Sequence, residues 1–262
     1  MKVEFEKYHG NGNDFIIVDD RKQTFPASIE IISRLCHRRF GIGADGLMLI
    51  RNSGEADFEM LYYNSDGALG TMCGNGGRCI AAYAFDHGMA GNKMTIAARD
   101  GVHQAIINRA METGKLFDVS LQMLPVEEVT EMENAWFLDT GSPHHVEFVK
   151  CADSTDVYKR GKEIRNSDRY KPDGTNVNFV SIEQNTLYVR TYERGVEEET
   201  LSCGTGVVAS ALAAFLETGN RNWRIKTRGG NFTVTFDNEG HCFNNIWLHG
   251  PAQMVYKGEI VL

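Results

Sequence analysis

One motif occurs twice in this chain. Residues 73–88 read CGNGGRCIAAYAFDHG and residues 203–219 read CGTGVVASALAAFLETG, so a Cys-Gly-x-Gly opening runs into an apolar stretch at two points 130 residues apart, close to half of the 262 residues. Ala81, Ala82, Ala84 and Phe85 continue the first run, and Ala209, Leu212, Ala213 and Leu216 the second. Such a repeat predicts two related halves, each with a Gly-rich turn entering a helix at a cysteine. N–H groups at a helix start lie ahead of its hydrogen-bond ladder, at the positive end of its dipole; they lower the pKa of a thiol there and also bind carboxylates. The glycines let a ligand approach the backbone without meeting a Cβ.

Composition narrows the class. At about 150 residues per domain the length fits one large or two mid-sized domains. Hydrophobic residues at 42% and charged residues at 24% are globular values. With 27 basic against 35 acidic residues, a net charge of −8 and no long Lys/Arg run, capture of nucleic acid or an anionic membrane is disfavoured. The opening MKVEFEKYHGNGNDFIIVDD lacks the apolar stretch of a signal peptide, and no apolar run reaches the roughly 18 residues of a membrane span. The expected location is cytoplasmic, with the cysteines kept as thiols. Cys36, Cys73, Cys79, Cys151, Cys203 and Cys242 contain no CxxC, so no metal site is expected.

The expected fold class is α/β, as two similar pseudo-symmetric lobes with the catalytic cleft between them. Val3–Phe5 and Phe15–Val18 read as strands around the HGNGND turn, and Ser28–Arg38 as a helix with Ile31, Ile32 and Leu35 on its apolar stripe. GIGADGLMLI turns on its glycines into a strand, followed by strands at Phe58–Tyr62 and Val102–Ile107. A boundary is expected near Phe117–Pro125, giving lobes 1–117 and 118–250 and a tail 251–262 that returns to the first lobe. In the second lobe, strands are expected at Phe137–Leu138, His145–Val149, Val177–Ile182 and Thr186–Tyr192.

Two thiols near neutral pH can act as base and acid on opposite faces of one carbon and so invert a stereocentre; a free cysteine at about pKa 8.5 is close enough for local tuning. Asn64 precedes the first cysteine, and Glu193 and Arg194 the second. Arg suits a bidentate carboxylate, while Glu or an Asn carbonyl suits an ammonium, which points to a small-molecule amino-acid substrate.

The stretches HGNGNDF, NSDGALGTMCGNGGRC, GSPHHV, TNVNF and YERGVEEETLSCGTG resemble the diaminopimelate epimerase family, in the same order and over essentially the whole chain. The resemblance implies cofactor-independent interconversion of LL- and meso-diaminopimelate, for lysine and cell-wall precursors, by a homodimer. It implies that Cys73 and Cys203 are the acid/base thiols. Asn13, Asn64, Asn176, Glu193 and Arg194 would bind substrate, and Gly74, Asn75, Gly204 and Thr205 would receive its carboxylate. His144 would line the centre. Gly46 stands where some members have a glutamine that reaches substrate, Ser142 replaces a common substrate-binding asparagine, and the loop with Glu197, Glu198 and Glu199 is one residue longer than in many relatives. These departures bear on the distal end of the substrate.

Simpler readings stand beside these. Cys36, Cys79 and Cys242 read as packing, and Cys151 has no visible chemical partner. His9 reads as a tie within HGNGND. On a strand, His144 and His145 point to opposite faces and cannot chelate together. Asn13 and Asn176 could cap turns, and Glu193 with Arg194 could be a solvated pair. The Glu197–Glu199 run reads as a solvated turn rather than a metal cage. Neither Gly-rich turn has a nucleotide-loop pattern, and a Cys-His protease would leave the second Cys-Gly-x-Gly unexplained. The functional alternatives are a two-thiol racemase for another amino acid and a silent amino-acid-binding protein.

Overall fold

The computed structural model describes residues 1–111, 113 and 115–262, which divide into two compact units, Met1–Leu121 with Gly250–Leu262, and Gln122–His249. In the first unit, β1 (Lys2–Gly10) and β2 (Asn13–Asp19) form a hairpin turned by Asn11 and Gly12, both at positive φ. Then come α1 (Ile29–Cys36), β3 (Gly46–Arg51), β4 (Phe58–Asn64), α2 (Gly74–Asp86), β5 (Lys93–Ala98), β6 (Gly101–Met111) and β7 (Leu116–Gln122). Each strand pairs with the next, in parallel for β2–β3 and β4–β5 and antiparallel otherwise. From Gly250 the last strand of the chain, Cys242–Val261, pairs with β7 on one side and β1 on the other, so eight strands close a ring and leave no open edge.

The two helices of this unit read differently because they are buried differently. Ser28 caps α1 by accepting from the Ile31 N–H, and only its inner face, Ile32, Leu35 and Cys36, enters a core with Ile16, Val18, Leu47 and Leu49. Residues Gly74 to Ala84 of α2 are all buried, against β1, β2, β3 and β6, which is why this helix shows a small-residue run instead of a stripe. With helices on both faces, β3 is buried on both and reads as the continuous apolar run Leu47–Ile50.

The second unit contains β8 (Val129–Glu131), β9 (Trp136–Asp139), β10 (Pro143–Phe148), α3 (Val157–Arg165), a 3₁₀ turn at Asp168–Tyr170, β11 (Asn176–Glu183), β12 (Thr186–Glu193), β13 (Glu198–Thr200), α4 (Gly204–Thr218), β14 (Arg224–Thr227), β15 (Gly230–Glu239) and the first part of β16 (Cys242–Val261). The order is β8-β9-β10-β11-β12-β14-β15-β16, with parallel pairs at β10–β11 and β12–β14, and β13 also paired to β12. A bridge between Val126 and Phe243 brings the segment before β8 to β16. The outer helix α3 packs on Val177, Phe179 and Tyr192 through Val157. Its Gly161 lies so close to β12 that an added Cβ would stand 2.4 Å from the Tyr192 Cβ. Almost all of α4 from Gly204 to Ala214 is buried, and Gly219 ends the helix in the left-handed region.

Both units therefore repeat one plan: two parallel strand pairs, a small outer helix and a buried helix entered at a cysteine. The mixed α/β class and its repetition are as expected. Several details differ. The division between the units falls at Leu121/Gln122, inside the stretch Phe117–Pro125, whose first half is part of β7 with Phe117, Val119 and Leu121 alternating inward. Strands β5, β14 and β15 and helix α3 were not among the expected elements. Cys242, expected to pack, is exposed where β16 begins, and its thiol donates to the Glu127 carbonyl at 3.3 Å.

Candidate active site

Cys73 and Cys203 occupy the same structural position in their units. Each is the extended N-cap residue of the buried helix, and the first ladder bonds run from Gly77 N–H to the Cys73 carbonyl and from Val207 N–H to the Cys203 carbonyl. The N–H groups of Gly74, Asn75, Gly204 and Thr205 thus lie ahead of the ladder beside a thiol, where the helix dipole is positive. Cys203 is 8% exposed and Cys73 is partly exposed.

Around Cys73, the thiol donates to Asn13 Oδ1 at 3.8 Å, and Asn75 Nδ2 donates to the same oxygen at 3.2 Å. Asn13 Nδ2 donates to Asp45 at 2.8 Å. Asn64 ends β4 opposite Gly46 of β3 and is exposed. A Cβ at Gly46 would stand 2.5 Å from the Tyr62 ring and 2.6 Å from the Tyr63 carbonyl, so here the aromatic ring takes the space a longer residue would need. His9 accepts from the Gly12 N–H at 3.4 Å, the turn tie expected of it.

Around Cys203, Sγ lies 3.4 Å from Thr205 Oγ1, which lies 2.9 Å from His144 Nε2. Donor and acceptor roles along this line follow from its far end. The His145 carbonyl can only accept, so Asn178 turns its NH₂ to that oxygen at 3.1 Å and to His144 Nδ1 at 3.0 Å, while its Oδ1 accepts from the Thr191 hydroxyl at 2.9 Å. His144 Nδ1 is therefore an acceptor, Nε2 carries the hydrogen and donates to Thr205 Oγ1, and the Thr205 hydroxyl hydrogen is left for the Cys203 sulfur. Burial, reinforced by the Arg194 charge, pushes the His144 pKa down to about 3, which keeps the ring neutral.

The remaining residues gather at the adjoining strand ends. Asn176, beside His144 in the β10–β11 register, donates to Ser142 Oγ at 2.8 Å and the Pro143 carbonyl at 2.9 Å, and accepts from the Arg194 N–H at 2.9 Å. Arg194 also reaches Ser142 Oγ at 3.5 Å. Asn176 is thus a tie between three segments, and Ser142 completes it. Glu193 closes β12 opposite Glu198.

Other expectations change. Of the three glutamates after Glu193 two are ion-paired, Glu197 with Arg165 at 3.0 Å and Glu199 with Arg190 at 2.7 Å and Arg228 at 3.1 Å, while Glu198 is exposed. His145 faces away from His144 and bonds the Tyr170 hydroxyl at 2.7 Å, its pKa lowered to about 4 by burial and then by Arg169 and Arg160. Asp45, Arg78 and Asn178 were missed as supports of the site. Asn178 lies two residues after Asn176 on a strand, hence on the same face, a period-two signal that TNVNF carried.

The two histidines give a test of stability. Their folded pKa values lie below the ordinary value of 6.5, so the unfolded chain binds more protons as pH falls from 6.5 towards 3 to 4, and stability is lost in that window. At about 1.4 kcal/mol per pH unit, each histidine costs roughly 2 kcal/mol at pH 5. Urea unfolding at pH 7 and pH 5 measures the loss, and His145→Gln is expected to halve it. Equal stability at both pH values would mean that the rings are not held neutral.

Comparison with known proteins agrees with the constellation. A family model described as diaminopimelate epimerase matches residues 5–122 and 136–255. The chain is 50% identical to the diaminopimelate epimerase of Flavobacterium psychrophilum, over 98% of this chain and 100% of that one. It is 43% identical to that of Chlorobaculum tepidum, over 97% and 99%. Among solved structures, a PhzF-family phenazine biosynthesis protein from Bacillus anthracis superposes with a TM-score of 0.78 at 15% identity, covering 100% of both chains. A hydroxyproline epimerase from Agrobacterium vitis does so at 0.74 and 15%, covering 100% of this chain and 93% of that one. At such identities these two show the fold alone. With the family model spanning both cysteine motifs and close relatives matching end to end, the chain belongs to the diaminopimelate epimerase family.

Proposed function

We propose that this chain interconverts LL- and meso-2,6-diaminopimelate with Cys73 and Cys203 as its two proton-transfer groups. The observation that carries the reading is the pair of thiols, each at the start of a buried helix and each beside a neighbour of opposite polarity. Thr205 offers a hydrogen to the Cys203 sulfur and favours thiolate, whereas Asn13 Oδ1 takes one from Cys73 and favours thiol. At rest, then, Cys203 is the base and Cys73 the acid.

In the forward event the Cys203 sulfur removes the α-hydrogen as a proton, the electron pair is held by the substrate's α-carbon and carboxylate, and Cys73 S–H returns a proton to the opposite face. The enzyme ends as Cys73 thiolate and Cys203 thiol, the state that runs the reaction backwards. No electron is gained or lost, so the reaction as drawn needs no cofactor. N–H groups of Gly74, Asn75, Gly204 and Thr205 would hold the carboxylate as negative charge develops on it, the position where preorganised dipoles help most. Arg194 would pair with a carboxylate, and Asn64, Asn176 and Glu193 would hold ammonium groups, with Asn13 orienting Cys73 and His144 lining the centre. Gly46 and Ser142 would shape the distal end. A homodimer in the cytoplasm is part of the same reading, and sedimentation velocity checks the first of these.

Proton NMR of LL-diaminopimelate with reduced enzyme in D₂O tests the proposal, with proline, hydroxyproline and glutamate run alongside. Deuterium entering one α-position as the meso isomer forms is the expected result. Exchange of another amino acid alone would reassign the substrate, and no exchange by folded, reduced protein would reject the reading.

A further inference from the structure

We infer that Asp45 is a positioning residue for Cys73, acting through the amide of Asn13, and that Arg78 locks the same amide from the other side. Asn13 can present either its oxygen or its NH₂ to the thiol, and those two faces differ by a simple flip of the side chain. Which one it presents is decided by a line of hydrogen bonds whose ends cannot reverse. At one end Arg78, a guanidinium with no acceptor atom, donates from Nη2 to Asn75 Oδ1 at 2.9 Å. Asn75 must then turn its NH₂ to Asn13 Oδ1, at 3.2 Å. At the other end the Asp45 carboxylate, paired with Arg38 at 2.7 Å, can only accept, and it takes Asn13 Nδ2 at 2.8 Å. Both ends therefore demand the same orientation, with the Asn13 carbonyl oxygen towards the Cys73 sulfur at 3.8 Å.

The ends are anchored in different ways. Arg78 is fully buried one helical turn beyond Cys73, where it also donates to the Gly74 carbonyl at 2.9 Å and to Asn11 Oδ1 at 3.2 Å. Asp45 sits at the entry to β3, accepts the Asp14 N–H at 3.2 Å and remains exposed. Buried Arg78 holds α2 together as well as the amide, so its removal mixes two effects, while exposed Asp45 can be changed without opening the core. The corresponding position after Cys203 is Val208, so this lock belongs to the first motif alone.

The role assigned to Asp45 rests on the two-thiol reading where turnover is measured, but its effect on the thiol does not. Asp45→Ala, Asp45→Asn and Arg38→Ala are compared by kcat with LL-diaminopimelate and, without substrate, by the ratio of iodoacetamide labelling at Cys73 to that at Cys203, resolved by peptide mass spectrometry. With alanine the Asn13 amide loses the acceptor of its NH₂ and is held by Asn75 alone, so that it turns its NH₂ to sulfur part of the time; kcat is expected to fall and the Cys73 labelling ratio to rise, each by up to about tenfold, the scale of one hydrogen bond. Asparagine keeps an oxygen for Asn13 and gives up only the exposed pair with Arg38, so Asp45→Asn should stay within about threefold of wild type; Arg38→Ala also gives up the pair with Asp14, which Lys7 still holds at 2.7 Å, and should stay in the same range. Asp45→Ala without effect on either readout overturns the inference. So does Arg38→Ala reproducing the loss, which would make the ion pair the active element, or Asp45→Asn matching alanine, which would make charge rather than amide orientation decisive. If wild type fails to turn over diaminopimelate, the labelling ratio still decides the inference.

Discussion

Cys73→Ala and Cys203→Ala are each expected to lower the rate of inversion by about 10²- to 10⁴-fold, the contribution of a positioned acid or base. The two losses should not look alike in D₂O. Cys73→Ala keeps the Cys203 sulfur, 3.4 Å from the Thr205 hydroxyl and the base of the proposed mechanism, so this variant should still exchange the α-hydrogen of one stereoisomer without inverting it. Cys203→Ala keeps the sulfur whose hydrogen is bound to Asn13, so its residual exchange should be slower and confined to the other stereoisomer. Chiral chromatography of each isomer after incubation in D₂O separates inversion from exchange. Residual exchange of the same isomer in both variants would contradict a one-sulfur-per-face mechanism.

The second large effect is expected from a single methyl group. Gly206 and Gly76 stand three residues after Cys203 and Cys73, yet the space at each differs. A Cβ at Gly206 would lie 2.4 Å from Asn178 Oδ1 and 3.3 Å from the His144 ring, whereas one at Gly76 would meet only the Met48 sulfur at 3.2 Å and the Cys73 Cβ at 3.4 Å within tight range. Gly206→Ala must therefore displace the buried amide that sets the His144 tautomer. We expect activity to fall by at least about a hundredfold, as happens when a catalytic constellation is displaced by an ångström. Stability should fall by about 1–3 kcal/mol from overpacking. Gly76→Ala should cost far less, because a flexible thioether can give way and alanine favours the helix by up to about 1 kcal/mol. Thermal melts and steady-state rates of the pair measure the contrast; equal loss in both would show that helix entry itself, and not Asn178, is sensitive.

How much of this was legible in the sequence varies with the range of the interactions involved. The two cysteine motifs were readable because everything that makes them a helix start, the cap residue, the glycines and the apolar run, lies within about four turns of chain. Strands such as β2 and β12 were readable from their apolar content, although their ends extended further, since backbone pairing continues past the last apolar residue. Phe232, Val234 and Phe236 alternate inward along β15, a period-two signal of the same kind that was not taken up. The acidic run after Glu193 misled for a different reason. Its partners Arg165, Arg190 and Arg228 are scattered along the chain, and nothing local distinguishes an ion-paired glutamate from a solvated one. Asp45 and Arg78 were invisible on the same account: each looks like a surface charge or a helix residue until Asn13 and Asn75 are seen between them.

The ring of the first unit has a consequence for how the protein is made. Lys2 pairs with Val261 and His9 with Gln253, so the strand that closes the ring leaves the ribosome long after β1. Until then β1 and β7 each present an unpaired edge, the kind of surface on which nascent chains join one another. Closure of this unit thus waits on a segment far along the chain from β1, and a frameshift or nonsense codon before Gly250 would strand an open sheet rather than a shortened enzyme.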